Sequence, residues 1–253
     1  MGGACLFERE HHRRIATVLG ALDATLLAAN ACLFGGGTAM ALRYGEYRES
    51  ADIDFLMSSV AGYRHLRQRL TGPDGMRAIE KPAASATANA PPANATANPG
   101  QALNQVREMR ADQYGIRTLL RVDDINIKFE IVLEGRIQLE APSAEDNLCG
   151  VAALTPLDMA ASKLLANSDR WRDDAVLSRD LIDLAMMAPP KELLQRAMAK
   201  ATAAYGDSVQ ADLAKAIQDL RERPHRLDHC MQAMRMTTVP KAVLWMRMKA
   251  LAR

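Results

Sequence analysis

Gly35-Gly36-Gly37-Thr38, followed by Arg48-Glu49-Ser50-Ala51-Asp52-Ile53-Asp54-Phe55, is the stretch from which the rest of this chain is read. Ala31 to Phe34 is a short apolar run ending at the glycines, and Thr38 to Tyr44 reads as a short helix that starts on them. Free N–H groups at a helix start, together with the helix dipole, attract phosphate oxygens. Asp52 to Met57 reads as a strand. Strand side chains alternate, so Asp52 and Asp54 share one face with Cα atoms about 7 Å apart, while Ile53 and Phe55 turn to the core. Two carboxylates placed this way are hard oxygen ligands for Mg²⁺, which substrate phosphates would also hold. Glycine turn, helix start and carboxylate pair together predict an enzyme that handles a nucleoside triphosphate.

The flanking sequence supplies the scaffold. Residues 8–30 read as one helix, with apolar positions at Ile15, Val18, Leu19, Leu22 and Leu26. Residues 61–70 read as an arginine-rich helix. Residues 82–100, PAASATANAPPANATANPG, have no periodic apolar face and are predicted to be a disordered insertion in a surface loop. Tyr114 to Arg121 and Ile125 to Leu133 flank Asp123-Asp124 and predict a hairpin. In its second strand Ile125, Ile127, Phe129, Ile131 and Leu133 share one face; Asn126, Lys128, Glu130 and Val132 share the other. Ile137 to Glu140 is a candidate third strand. Thr155-Pro156 is a helix start, with a hydroxyl at the N-cap and proline at the first turn. Ser178 is expected to cap a helix through Met187, stopped by Pro189-Pro190. Further helices are expected over 191–204, 208–222, 225–236 and 240–251. The fold class is α+β: a small mixed β-sheet core with flanking helices over residues 1–150, then a C-terminal helical bundle over 151–253.

The chain has 253 residues, of which 49% are apolar but only 4% aromatic, a balance that suits helices packed on a modest sheet. Residues 191–253 hold 12 Lys/Arg against 6 Asp/Glu, and the remaining 190 hold 20 against 24. A carboxylate-rich front and a basic back are compatible with a metal site beside a polyanion-binding surface. Cys5, Cys32, Cys149 and Cys230 are far apart and form no C-x-x-C pair, which argues against a zinc site and a disulfide framework. Reduced thiols in a cytoplasmic protein are expected. No apolar run reaches the length of a membrane span, and the N-terminus lacks a signal-peptide core. His225 and His229 stand four apart, but no glutamate follows His225 in the metalloprotease pattern.

Transfer chemistry at a triphosphate gains from a third carboxylate that aligns or deprotonates the attacking hydroxyl. Glu130, on the polar face of its strand, is the candidate. Lys163 lies mid-helix among apolar neighbours, where an unpaired ammonium would be costly and a triphosphate would be a partner. Arg170 offers a planar fork to the same phosphates. Asp180 and Asp183 lie three apart, on one helical face.

Taken together, these residues resemble the AbiEii/AbiGii toxin family of DNA-polymerase-β-like nucleotidyltransferases. Gly36, Gly37, Asp52 and Asp54 match the family's first motif. Lys128-Phe129-Glu130-Ile131-Val132 matches its Lys-x-Asp strand, with Glu in place of Asp. Lys163, Ala166 and Arg170 match Lys-x-x-Ala-x-x-x-Arg, and Asp180-Leu181-Ile182-Asp183-Leu184 matches the fourth motif. The resemblance implies a toxin of a toxin–antitoxin or phage-defence system that transfers a nucleoside monophosphate from an NTP. Asp52, Asp54 and Glu130 would hold Mg²⁺ (or Mn²⁺). Gly36, Gly37, Thr38, Arg48, Ser50, Lys163 and Arg170 would hold the nucleotide. Lys163, Asp180 and Asp183 would complete the catalytic set. It further implies a cognate antitoxin and an acceptor such as the 3′ end of tRNA. A protein or small-molecule acceptor, or a degenerate nucleotide- or RNA-binding module, are the alternatives.

Overall fold

Alternation of apolar side chains sets the central sheet. A computed structural model describes residues 7–82, 103–223 and 225–252. Strands β1 (Leu33–Gly35), β2 (Ile53–Met57), β3 (Arg110–Ala111), β4 (Gly115–Val122) and β5 (Ile125–Leu133) form a mixed sheet in the order β1-β2-β5-β4-β3. β2 runs parallel to β5, and the other pairings are antiparallel. Ile53, Phe55, Met57, Ile127, Phe129 and Ile131 are fully buried on one face. Phe34, Phe55 and Phe129 stack across three adjacent strands there, with ring centroids 5.6 and 5.7 Å apart. The opposite face carries Asp54, Lys128 and Glu130. Asp123 and Asp124 both adopt positive φ, 47° and 63°, which gives the β4–β5 turn the twist a two-residue hairpin needs.

The chain continues through a short ribbon, β6 (Asn147–Leu148) and β7 (Val151–Ala152), into the helices. Thr155 caps α5 (Pro156–Arg170) by accepting from the Asp158 N–H. Around α5 pack α6 (Arg179–Met187), α7 (Lys191–Tyr205) and α8 (Ser208–Glu222); α10 (Lys241–Leu251) packs on α6, and α9 (Arg226–Ala233) lies between α8 and α10 in sequence. On the N-terminal side, α3 (Gly36–Arg43) touches β2, α5 and α6, linking the sheet to the helices. Buried apolar side chains from both halves form one core cluster. The architecture is α+β. Among the described residues, no helix is long and apolar enough to cross a membrane.

Three expectations are corrected. The helix over 8–30 is two helices, α1 (Glu10–Ala21) and α2 (Ala24–Ala29), because Leu22 is extended and Asp23 starts a new helix by accepting from the Leu26 N–H. Ile137 to Glu140 is not a strand. Its backbone donors go instead to side chains, Leu139 N–H to Ser58 Oγ and Glu140 N–H to Asp158 Oδ2. Ser178 occupies the N-cap position of α6, but its backbone is left-handed (φ 51°) and its side chain caps nothing. The helix at 61–70 is present as α4 (Val60–Leu70). The predicted disordered insertion lies, beyond Pro82, outside the described residues.

Candidate active site

A cavity of about 270 Å³ opens where the carboxylate face of the sheet meets the start of α3 and one side of α5. It gathers Gly36, Gly37, Arg48, Ser50, Asp52, Asp54, Glu130, Lys163, Arg170 and Asp180 from the predicted set. Thr38 and Asp183 do not line it.

The glycine turn is tight because side chains from two directions press on it. Gly36 has φ +69°, and a Cβ there would overlap Asp54 Oδ2; a Cβ on Gly37 would overlap the Arg48 guanidinium. Gly36→Ala therefore combines backbone strain of roughly 1 kcal/mol with displacement of Asp54. Transfer activity is expected to fall about 100-fold, the typical cost of misplacing a reacting group by an ångström, with the far-ultraviolet circular dichroism unchanged. Near-wild-type turnover would show that Asp54 does not need this position.

The loop that carries Arg48, Ser50 and Asp52 is tied down from three sides. Thr38 Oγ, which is buried, lies 2.9 Å from Ser50 Oγ and 2.5 Å from the Asp52 carbonyl oxygen. Thr38 thus holds the loop rather than meeting a ligand. His12, fully buried on α1, accepts the Ser50 N–H at Nε2 (3.2 Å) and sits 2.7 Å from Glu46 Oε1 at Nδ1. On the far side, the Glu49 N–H donates to the Met234 carbonyl and Arg235 pairs with Glu49.

The His12 arrangement needs a neutral ring with its proton on Nδ1. Burial lowers the His12 pKa, and hydrogen bonding to Glu46 opposes this without reversing it. The folded pKa lies below the unfolded one, so the stabilisation is complete above the unfolded value and is lost as pH falls through the folded value. In chemical denaturation in metal-free buffer the His12 contribution is expected to be lost between pH 7 and pH 5, against the opposite contribution of Asp54, so it is read as the difference from a non-titrating variant. His12→Gln, which keeps an acceptor but does not titrate, should lose less. Equal losses would remove His12 as the cause.

Asp54 and Glu130 are direct neighbours in the β2–β5 register, and Arg117 is opposite Glu130 on β4. Burial, then the charge of Asp52, push the Asp54 carboxyl up to about 6; Glu130 adds to this, and Lys128 and Lys163 only partly offset it. Burial alone would also raise Glu130. Hydrogen bonds from Lys128 (2.5 Å) and Arg117 (2.5 Å) outweigh it and hold this carboxyl below its ordinary value.

Beneath the cavity floor the charges interlock. Asp183 is fully buried and takes Arg48 in a two-pronged pair (2.6 and 2.9 Å), the Tyr47 hydroxyl (2.7 Å) and Lys163 (2.6 Å). Asp180 takes Lys163 (3.0 Å) and the Arg170 fork (2.7 and 3.0 Å). Burial opposes ionisation of both aspartates, yet the cations win: Asp180 stays well below the usual carboxylate range, and Asp183 is lowered too. Asp183 therefore positions Arg48 and Lys163 from below. Arg48 spends its remaining nitrogen on the Glu49 carbonyl, so it acts as a strut under the glycine turn.

Four further polar residues line the cavity: Lys128, Arg136, Ser162 and Arg179. Among the described residues the Ser162 hydroxyl is buried without a hydrogen-bond partner. Its spacing from Met159, Lys163, Ala166 and Arg170 follows one helical face, a signal readable once Lys163 is placed. Arg136 has no such signal; it comes from a loop after β5 and is held by Glu134 (2.6 Å), Asp169 and Tyr205.

Asp52 and Asp54 fit a divalent cation: they are hard oxygen donors, and Asp54 is buried beside the charge of Asp52, which a cation between them would offset. Glu130 is different, since both its oxygens are taken by Lys128 and Arg117. Among the described residues, no three such ligands stand together as a ready-made metal cluster.

No curated protein matches the chain. A Helicobacter pylori structure named as a nucleotidyltransferase is similar at 17% identity, covering 98% of this chain and 96% of its own, with a TM-score of 0.48. JHP933 from Helicobacter pylori is similar at 17% identity over 96% and 90%, with a TM-score of 0.46. Residues 18–248 match the family described as the AbiEii nucleotidyl transferase toxin of a type IV TA system. The chain belongs to the AbiEii family of nucleotidyltransferase toxins.

Proposed function

We propose that the chain transfers a nucleoside monophosphate from an NTP to an acceptor hydroxyl and releases pyrophosphate, with the 3′ end of tRNA as the acceptor. The observation that carries this is the convergence of Asp52 and Asp54 from the sheet with Lys163 from α5, in a cavity lined by six cations and four carboxylates. That balance suits a triphosphate. The family brings a divalent metal, an NTP substrate and a cognate antitoxin. Mg²⁺ held by Asp52 and Asp54, with Mn²⁺ as a substitute, would supply charge neutralisation at the phosphates.

The residues then divide by role. The N–H groups of Gly36 and Gly37 at the start of α3 face the β- and γ-phosphates with Ser50. Lys163 keeps one ammonium donor for the same oxygens, because Asp180 and Asp183 engage the other two. Arg170 and Arg179 extend the positive wall. Glu130, held ionised, accepts the proton of the attacking hydroxyl. Lys128 or Arg117 must loosen from it for either proton transfer or metal ligation. The half up to residue 150 thus supplies Asp52, Asp54 and Glu130, and the helical half supplies Lys163, Arg170 and Asp180.

Incubation with each labelled NTP, Mg²⁺ and total tRNA tests the reading. Label on tRNA that disappears in Asp54→Asn supports it. Label on protein points to the same site acting on a protein hydroxyl. NTP binding without transfer to any acceptor means a binding module.

A further inference from the structure

The carboxylate face of the sheet does not end at the cavity. Asp54, Glu130, Arg117 and Arg110 are direct partners in register across β2, β5, β4 and β3, so their side chains lie in one row on one face. Beside that row, Lys128 is opposite Leu119 and Asn126 is opposite Arg121. Arg110 and Arg121 are exposed, as is Lys128, while Arg117 is partly so. The other face of the same strands is core. Within this row Glu130 is the single carboxylate beyond Asp54, and Asp112 takes one arm of Arg117. Among the described residues the Arg121 guanidinium meets only Asn126 Oδ1, at 3.3 Å, and the Arg110 side chain has no partner. Arg117 and Arg121, four residues apart on β4, stand about 13 Å apart, about two phosphate spacings of an extended polynucleotide.

The basic C-terminal helices are a weaker surface than their composition suggests. Arg196 pairs with Glu140, Lys200 with Asp158, Arg223 and Arg226 with Asp174, and Arg235 with Glu49. The acidic front of the chain thus pairs with five of the twelve cations of its basic back.

In-line displacement brings the attacking oxygen to the side of the phosphorus opposite the leaving pyrophosphate. With the pyrophosphate end at Gly36, Gly37 and Lys163, the acceptor arrives past Glu130, which is the edge where the open sheet face begins. We propose that the exposed face of β3, β4 and β5, through Arg110, Arg117, Arg121 and Lys128, binds the backbone phosphates of a single-stranded nucleic-acid acceptor and leads its 3′ hydroxyl to Glu130. The direction of entry rests on the transfer reading above; the binding surface does not.

The test is fluorescence anisotropy of a 5′-fluorescein-labelled single-stranded 12-nucleotide RNA against the whole chain over a salt series. The double variant Arg110→Gln/Arg121→Gln removes two phosphate contacts outside the cavity. It should bind about tenfold more weakly, with the slope of log affinity against log salt reduced by about 1.4. The charge-matched variant Arg221→Gln/Lys249→Gln, on α8 and α10, should bind like the wild type. A wild type that does not bind the RNA, an undiminished double variant, or an equal loss in the charge-matched variant overturns the proposal. RNA binding that depends on Arg110 and Arg121, without NMP transfer to that RNA, upholds the surface and fails the transfer reading.

Discussion

Asp54→Asn is expected to lower NMP transfer by roughly 10³-fold, several kcal/mol of transition-state stabilisation, because it removes one of two carboxylates that fit the cation. The same change should leave the protein as stable as the wild type, or more so, at pH 7.5 in metal-free buffer. Burial and the charges of Asp52 and Glu130 push the Asp54 carboxyl up to about 6, so its ionised form opposes folding at neutral pH. With the folded pKa above the unfolded one, the contribution of Asp54 to stability is greatest at low pH and declines as pH rises through the folded value. Asparagine keeps the shape and removes that charge. Turnover and a denaturant midpoint measured on one preparation separate the two effects. Wild-type turnover would dismiss Asp54 as a reacting group. A large drop in midpoint would mean its carboxylate is structural.

Asp183→Ala should behave in the opposite way, with a loss of roughly 3–5 kcal/mol of folding stability and a fall in Tm of about 10 °C. Asp183 is fully buried beneath the cavity and meets Arg48, Lys163 and Tyr47. Alanine would take from buried Arg48 the carboxylate it pairs with and leave Lys163 with Asp180. Activity should fall as a consequence, since Lys163 loses one of its two anchors. Thermal denaturation of the purified variant gives the answer, and a shift below 3 °C would show that solvent or Asp180 compensates. The same cluster predicts acid sensitivity. Asp180 and Asp183 have folded pKa values below their unfolded ones, so their contribution is complete above pH 4 to 5 and is lost as pH falls further.

Asp183 and Glu130 show where reading residues in order stops. Spacing alone put Asp180 and Asp183 on one helical face, and both do meet Lys163. Spacing could not say that Asp180 lines the cavity while Asp183 lies under it. That depends on Arg48, 135 residues away in the chain, reaching across from the glycine loop. The polar face of β5 likewise marked Glu130 as a candidate, but its neutralisation by Arg117 follows from the β4–β5 register. The excess positive charge of the last helices suggested a polyanion surface until their partners in the acidic half were in view.

By itself the sequence determined the three longest strands, β2, β4 and β5, most of the helices, the hairpin turn and the side of the sheet on which Asp54 and Glu130 stand. These follow from backbone periodicity, glycine freedom and capping, which act over a few residues. Only the tertiary structure decided which carboxylates remain uncompensated, which cations are already spent, and which surface stays open beside the site. Those outcomes depend on ion pairs between residues as far apart as Glu49 and Arg235, 186 positions along the chain. Coulomb attraction acts through space, and the distances it acts over are set by packing rather than by neighbours in sequence.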